Sequence, residues 1–265
     1  MRWNLVQQEL RQNRRGFWTC FLVTLLILIL LLGKAEAFVN NPEMEQLIKG
    51  LPEGLLKAFG IEPESFRTFE GFVATQAYPY FIVLVSSFAT SWAAGSISRE
   101  RDRGTAEFLF TLPYSRGEVF WSKAFANWLH MTIVFVVGSL LILLLARYTV
   151  QLEQYGGLLL LLLSGYLLVL LFMGIGYAFT SWFSSDRTAV AVGAGVAVLA
   201  FLLKLLSGSS EMMHKVSSIS PYRLFDALDI VRGGGLTAVS WVVTLGLYAA
   251  GTAIGVLMLK RRDIV

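Results

Sequence analysis

Six apolar runs, at about 17–33, 72–94, 124–146, 156–183, 188–206 and 236–259, divide this chain. Each is near the length of about 20 residues that a helix needs to cross the hydrocarbon core of a bilayer. Lipid offers no partner for backbone N–H and C=O groups, so a run of this length closes its hydrogen bonds within itself as a helix. The fold class that follows is an all-α membrane protein with six transmembrane helices. Composition enters only as a check: 15% of the residues are charged and 55% hydrophobic, whereas about a quarter are charged in soluble domains.

An even number of spans puts both termini on one side. With that side taken as inside, 13 Lys and Arg fall in inside segments and 8 in outside segments, while 7 acidic residues lie inside and 11 outside. The positive-inside rule therefore predicts cytoplasmic termini. The net charge of +4 follows this loop asymmetry, so the basic balance is not read as a nucleic-acid site.

Residues 1–16 read as an amphipathic helix ending at Gly16, with Trp3, Val6 and Leu10 on one face and Asn4, Gln8, Arg11 and Arg15 on the other. Such a basic segment is expected to lie at the membrane interface beside anionic lipid headgroups. Residues 17–265 then form the six-span domain. A secretory signal is the competing reading of the start, since Ala35 and Ala37 make a small-x-small site; the long apolar run and its distance from Met1 argue against cleavage. The 34–71 connection carries Pro42, Pro52 and Pro63 between short amphipathic stretches containing Leu47, Ile48, Leu51, Leu55, Leu56 and Phe59, which are expected to pack on the outer rim. In the last outer loop a helix is predicted from Pro221 to the run of three glycines, with Leu224, Leu228 and Val231 on one face.

Chemistry has few footholds. Lys204 lies near the end of the fifth run, where it can snorkel, and His130 is in the third run without a partner at metal-ligand spacing, so a packed imidazole is the expected reading. No HExxH, no paired intramembrane carboxylates and no phosphate loop occur, because the one Gly-Lys pair, Gly33 and Lys34, is followed by Ala35. No catalytic residue, metal ligand or bound cofactor is expected, and any ATP hydrolysis belongs to another polypeptide. The lone Cys20 excludes an intramolecular disulfide. Small residues four apart, Ala191 with Gly195 and Gly193 with Ala197 in the fifth run and Gly251 with Gly255 in the sixth, mark helix-packing faces, within one subunit or between two. Ser86, Ser87, Thr90 and Ser91 give the second run a hydroxyl-bearing stretch that lines a path or bonds carbonyls one turn back.

The most informative stretch is 98–123, a charged interruption between the second and third runs. Arg99, Glu100, Arg101, Asp102 and Arg103 alternate in sign; Gly104 and Thr105 read as a helix start with Glu107 in the first turn. Phe108, Leu109 and Leu112 form an apolar patch before Pro113, and Ser115 with Glu118 matches a capping box opening the third span, with Arg116 exposed between them. The pattern is a short helix held between two spanning helices, placed to convert a push from the cytoplasm into tilting of both.

The run RERDRGTAEFLFTLPYSRGEVFWSK resembles the signature of ABC transporter permeases of the ABC type-2 class, and PYRLFDALDIVRGGG and the terminal RRDI are weaker points of similarity. The resemblance spans essentially the whole chain. It implies a half-transporter permease, an exporter subunit forming the substrate path, that dimerises with a second copy or a homologous permease in the plasma membrane. It further implies separate ABC ATPase subunits that bind ATP and Mg, with 104–112 as a coupling helix seated in a groove of the ATPase. Carried onto this sequence, Glu100 and Arg101 would flank that helix, Glu107 would face the ATPase, and Pro113, Ser115 and Arg116 would shape the return to the membrane; no large outer insertion is read between the runs, which argues against the subfamily that carries one. The alternative class is a membrane protein not coupled to ATP, either a secondary carrier or an anchor or assembly factor.

Overall fold

The computed structural model describes residues 2–39, 41–52, 54, 56, 62–105, 113–149, 155–180, 182–183, 185–205 and 215–261. Among them every regular element is a helix. Six helices are long and apolar enough to cross a membrane: Arg14–Leu32 (span one), Tyr78–Asp102 (span two), Arg116–Thr149 (span three), Tyr155–Phe179 (span four), Asp186–Leu205 (span five) and Ala238–Arg261 (span six). The expected six-span, all-helical architecture is the one observed.

Spans two and four form the centre. Span five packs along span two, span six along span four, and spans one and three close the remaining side. Most of spans two and four is buried, while spans one, five and six present largely open apolar faces, as lipid-facing helices do. Close approach is achieved with glycine: a Cβ on Gly193 would lie 2.8 Å from the Ser91 Cα, and Gly251 sits directly against the Gly174 backbone. Gly255 likewise faces the Tyr177 carbonyl and the Phe120 ring. In lipid, where apolar surface gains nothing by leaving its solvent, such contacts supply van der Waals packing instead. Ala191 and Gly195 are differently placed: Ala191 is exposed, and a Cβ on Gly195 would meet nothing within 4 Å. Span five turns Gly193 and Ala197 inward, so its packed small-residue face is the one two residues out of phase with that pair.

Hydroxyls tie the centre together. Tyr78 and Ser164 join spans two and four at 2.8 Å, as do Ser96 and Thr180 at 2.7 Å. Ser87 and Thr90 bond carbonyls one turn back, whereas the Ser91 hydroxyl donates across to the Val190 carbonyl of span five.

Several boundaries differ from expectation. Span two runs on past Ala94 to Asp102 and span three begins at Arg116, well before Ala124, because Arg and Glu continue a helix as well as they populate a loop. The N-terminal helix, Trp3–Gln12, breaks at Asn13, and Gly16 lies inside span one with its Cα facing the Trp92 indole. The predicted helix from Pro221 is broken into a 3-10 turn, Pro221–Leu224, a short helix, Ala227–Asp229, and a π turn, Ile230–Gly234. Asp226 causes the break: its carboxylate accepts from the Leu228 and Asp229 N–H groups and so favours a helix start over a helix interior.

On that same side of the bundle, Asn41 caps Pro42–Lys49, whose Ile48 is buried and Leu47 exposed, and Leu51 beyond the helix is exposed too. Leu56 packs partly against the core, and Leu55 and Phe59 lie outside the described residues.

Candidate functional site

At the end of the bundle that carries the N-terminal helix and the two–three connection, charged side chains are drawn into buried contacts. Span two projects beyond its apolar run there, and its last turn holds Arg99, Glu100 and Asp102 on different faces. Each is bound to a different neighbour.

Glu100 is turned inward. Its carboxylate lies 2.8 Å from the Lys123 ammonium, whose second partner is Glu9 of the N-terminal helix at 2.6 Å. All three side chains are 6–7% exposed. Two carboxylates around one ammonium in a site closed to water are an expensive arrangement to assemble, and removing the cation leaves two like charges uncompensated. One ammonium thus fastens span three to both span two and the N-terminal helix.

Arg99 reaches the other side. Its guanidinium donates to the Asn13 side-chain Oδ1 and lies 3.5 Å from Asp186, the first residue of span five. Asn13 in turn donates to Glu9 at 2.8 Å, so the break after the N-terminal helix is itself a bridge between the two ion clusters. Asp102 accepts from the Asp186 backbone N–H at 2.9 Å, putting an anion at the positive end of span five.

Span two then stops. Gly104 adopts φ +65°, its N–H bonds the Arg101 carbonyl at 3.0 Å, and the Thr105 N–H bonds the Glu100 carbonyl at 3.0 Å. This pair of bonds is a Schellman closure, which needs a left-handed residue and so favours glycine. Gly104 and Thr105 therefore end a helix, where the sequence suggested that they begin one. The Thr105 hydroxyl also donates to the Glu100 carboxylate, linking the outgoing backbone to the buried cluster.

On the return side the capping box forms in full. The Glu118 N–H bonds the Ser115 hydroxyl at 3.1 Å and the Ser115 N–H bonds the Glu118 carboxylate at 3.0 Å. Arg2 holds the same carboxylate at 3.0 Å and covers the Tyr114 ring. Arg116, expected to be exposed, is half-buried; its guanidinium donates to the Leu259 and Lys260 carbonyls at 3.2 and 3.4 Å, closing the C-terminal end of span six. Pro113 and Ser115 are exposed.

The N-terminal helix is oriented by these bonds. Its Arg11 and Arg15 side of the chain is exposed as the pattern predicted, but the buried positions are Val6, Glu9 and Asn13, with Leu10 half-buried and Trp3 55% exposed. A buried ion pair has rotated the helix away from its apolar stripe. His130 is packed between the Phe17 ring, stacked at 4.7 Å, and the Trp92 indole.

Glu107, Phe108, Leu109 and Leu112 lie outside the described residues. Their flanks are thus the observable part of the connection, and those flanks touch the N-terminal helix and spans three, five and six. Glu9, Asn13 and Asp186 were not singled out by the sequence, and Asp102 and Lys123 were named without their partners. Glu9 alone left a signal: it lies at i+3 from Val6, on the inward side of the helix.

A family model described as ABC-2 family transporter protein matches residues 3–264. No curated protein matches the chain.

Proposed function

Because the chain belongs to the ABC-2 transporter family and is a membrane permease of that kind, we propose that it couples transport to ATP hydrolysed by separate subunits, through the 98–123 connection. In this reading both termini face the cytoplasm across the plasma membrane, the permease pairs with a second copy or a homologous permease, and the pair works as an exporter. ATP and Mg are held by the partner ATPase, not by this chain.

The observation that carries the reading is the wiring of the connection's two flanks. A push on 106–112 reaches Glu100 through Thr105, and from Glu100 it reaches Lys123 and Glu9 without passing through a flexible joint. On the far flank, Arg116 delivers it to the end of span six. Packed, hydrogen-bonded elements move as bodies, so displacement at the connection becomes tilting of the spans it joins.

Charge placement supports the cytoplasmic assignment of this end, where Arg2, Arg11, Arg14 and Arg15 also lie. The test is co-purification with a Walker-motif ATPase from native membranes. Replacement of Phe108, Leu109 and Leu112 by charged residues is expected to abolish the complex while the permease still inserts; a retained complex would refute coupling through 106–112.

A further inference from the structure

Spans three and six touch at their terminal ends, through Arg116 and the Leu259 carbonyl and through Phe120 and Gly255, and beside that contact lies a cleft of about 410 Å³ lined by Trp121, Ala124, Phe125, Trp128 and Tyr248. Through Trp121 it continues into a second, more polar hollow of about 540 Å³ beside Arg116, Gly117, Glu118 and Lys260. The deeper part is almost wholly apolar and aromatic, with the Phe125 and Trp128 rings 5.4 Å apart. The mouth is charged.

At that mouth the charges are unequally committed. Arg116 is spent on the span six carbonyls, and Glu118 is held by Arg2 and by the Ser115 N–H. Lys260 is exposed and makes no ion pair among the described residues. The Lys260 ammonium, without an ion-pair partner among the described residues, therefore stands at the end of an aromatic trough.

Dimensions identify what fits. From Gly117 to Trp128 a helix rises about 16 Å, close to half of a hydrocarbon core of about 30 Å. The trough is one leaflet deep. Trp121, 49% exposed at the junction of the two parts, has the amphipathic ring that suits the headgroup level.

We propose that this groove is a binding site for an anionic glycerophospholipid, with the headgroup phosphate at the Lys260 ammonium and one acyl chain along Trp121, Phe125 and Trp128. The site is independent of ATP coupling and requires only that the six spans are embedded in lipid. A bound chain would fill the cleft beside spans three and six, and the headgroup charge would be matched by the Lys260 ammonium.

The full chain reconstituted in phosphatidylcholine vesicles with one part in five phosphatidylglycerol provides the test, with dibrominated acyl chains placed on one lipid or the other. Quenching is read as the difference between the native chain and a Trp121→Phe, Trp128→Phe variant, which isolates these two indoles. Brominated phosphatidylglycerol is expected to quench this component about fivefold more effectively per molecule than brominated phosphatidylcholine, the preference one cation confers near an anionic headgroup. Lys260→Gln should bring the ratio close to one, and Lys260→Arg should restore it. Equal quenching by both lipids in the native chain, a ratio unchanged by Lys260→Gln, or protection from both lipids would overturn the proposal.

Discussion

Lys123 and Arg232 sit at opposite ends of the bundle, each bonded to glutamate at 2.6 Å, and they differ in what surrounds them. Lys123 and its two carboxylates are 6–7% exposed, whereas Arg232 and Glu62 are 50% and 52% exposed. Glu45, held by Arg67 and Lys49, belongs with the second kind. The same chemistry therefore does two jobs. Where water can replace either partner, the pair contributes little and serves to tack loops together. Where it cannot, the pair becomes a fastening whose loss exposes nothing to solvent and leaves a buried charge alone. The buried cluster is at the end where the two–three connection leaves the membrane, and that is the end on which a transmission role has been placed.

The contrast can be broken most severely at Lys123. Lys123→Met is expected to destabilise the protein by about 3–5 kcal/mol, since Glu9 and Glu100 then face each other without a cation. A thermal unfolding midpoint in detergent, followed by the loss of monodisperse protein, measures it; an unchanged midpoint would mean that water reaches the site. Glu9→Gln should do less, about 1–3 kcal/mol, because Glu100 still neutralises the ammonium. Its effect should be local, seen as faster amide hydrogen exchange across 3–12 with spans two and three unchanged.

At the other end the effects shrink. Arg232→Ala should change stability by less than about 1 kcal/mol, in the range of exposed pairs. Glu45 offers a titration: the Arg67 guanidinium, and next Lys49, lower its carboxyl from 4.5 to about 2. A depressed folded pKa means that the contribution of this pair is complete above about 4.5 and is lost only as pH falls toward about 2. Carboxyl NMR of Glu45 should therefore show no protonation at pH 4; a midpoint near 4.5 would show that the pair is not formed.

Much of the architecture was legible because its determinant is local. A run of apolar residues reports a span directly, and Ser115 with Glu118 reports a helix start because both halves of the capping box lie within one turn. Span ends were less legible. Arg99 to Asp102 suit a solvated loop and a helix equally, and the structure chooses helix as Arg99, Glu100 and Asp102 each find a partner on another element. Gly104 carried an ambiguous signal, since glycine beside threonine fits a helix start or stop and the deciding feature is a positive φ. Arg116 was read as exposed because its acceptors, 143 and 144 residues away, are backbone carbonyls that leave no mark in the sequence. Lys123 was unreadable for the same reason: its partners are 114 and 23 residues distant, and only the fold brings Glu9 and Glu100 to opposite sides of one ammonium.

The central claim is that this buried cluster transmits force between the 106–112 connection and the spans. It is tested most directly by ATP hydrolysis of the partner ATPase in complex with reconstituted permease, measured for the native chain, Glu9→Gln, and Arg232→Ala at a temperature where all three are folded. The account predicts that Glu9→Gln lowers permease-stimulated hydrolysis several-fold while the amount of bound ATPase is unchanged, and that Arg232→Ala leaves stimulation at the native level. Full stimulation in Glu9→Gln, or equal losses in the two variants, would contradict it.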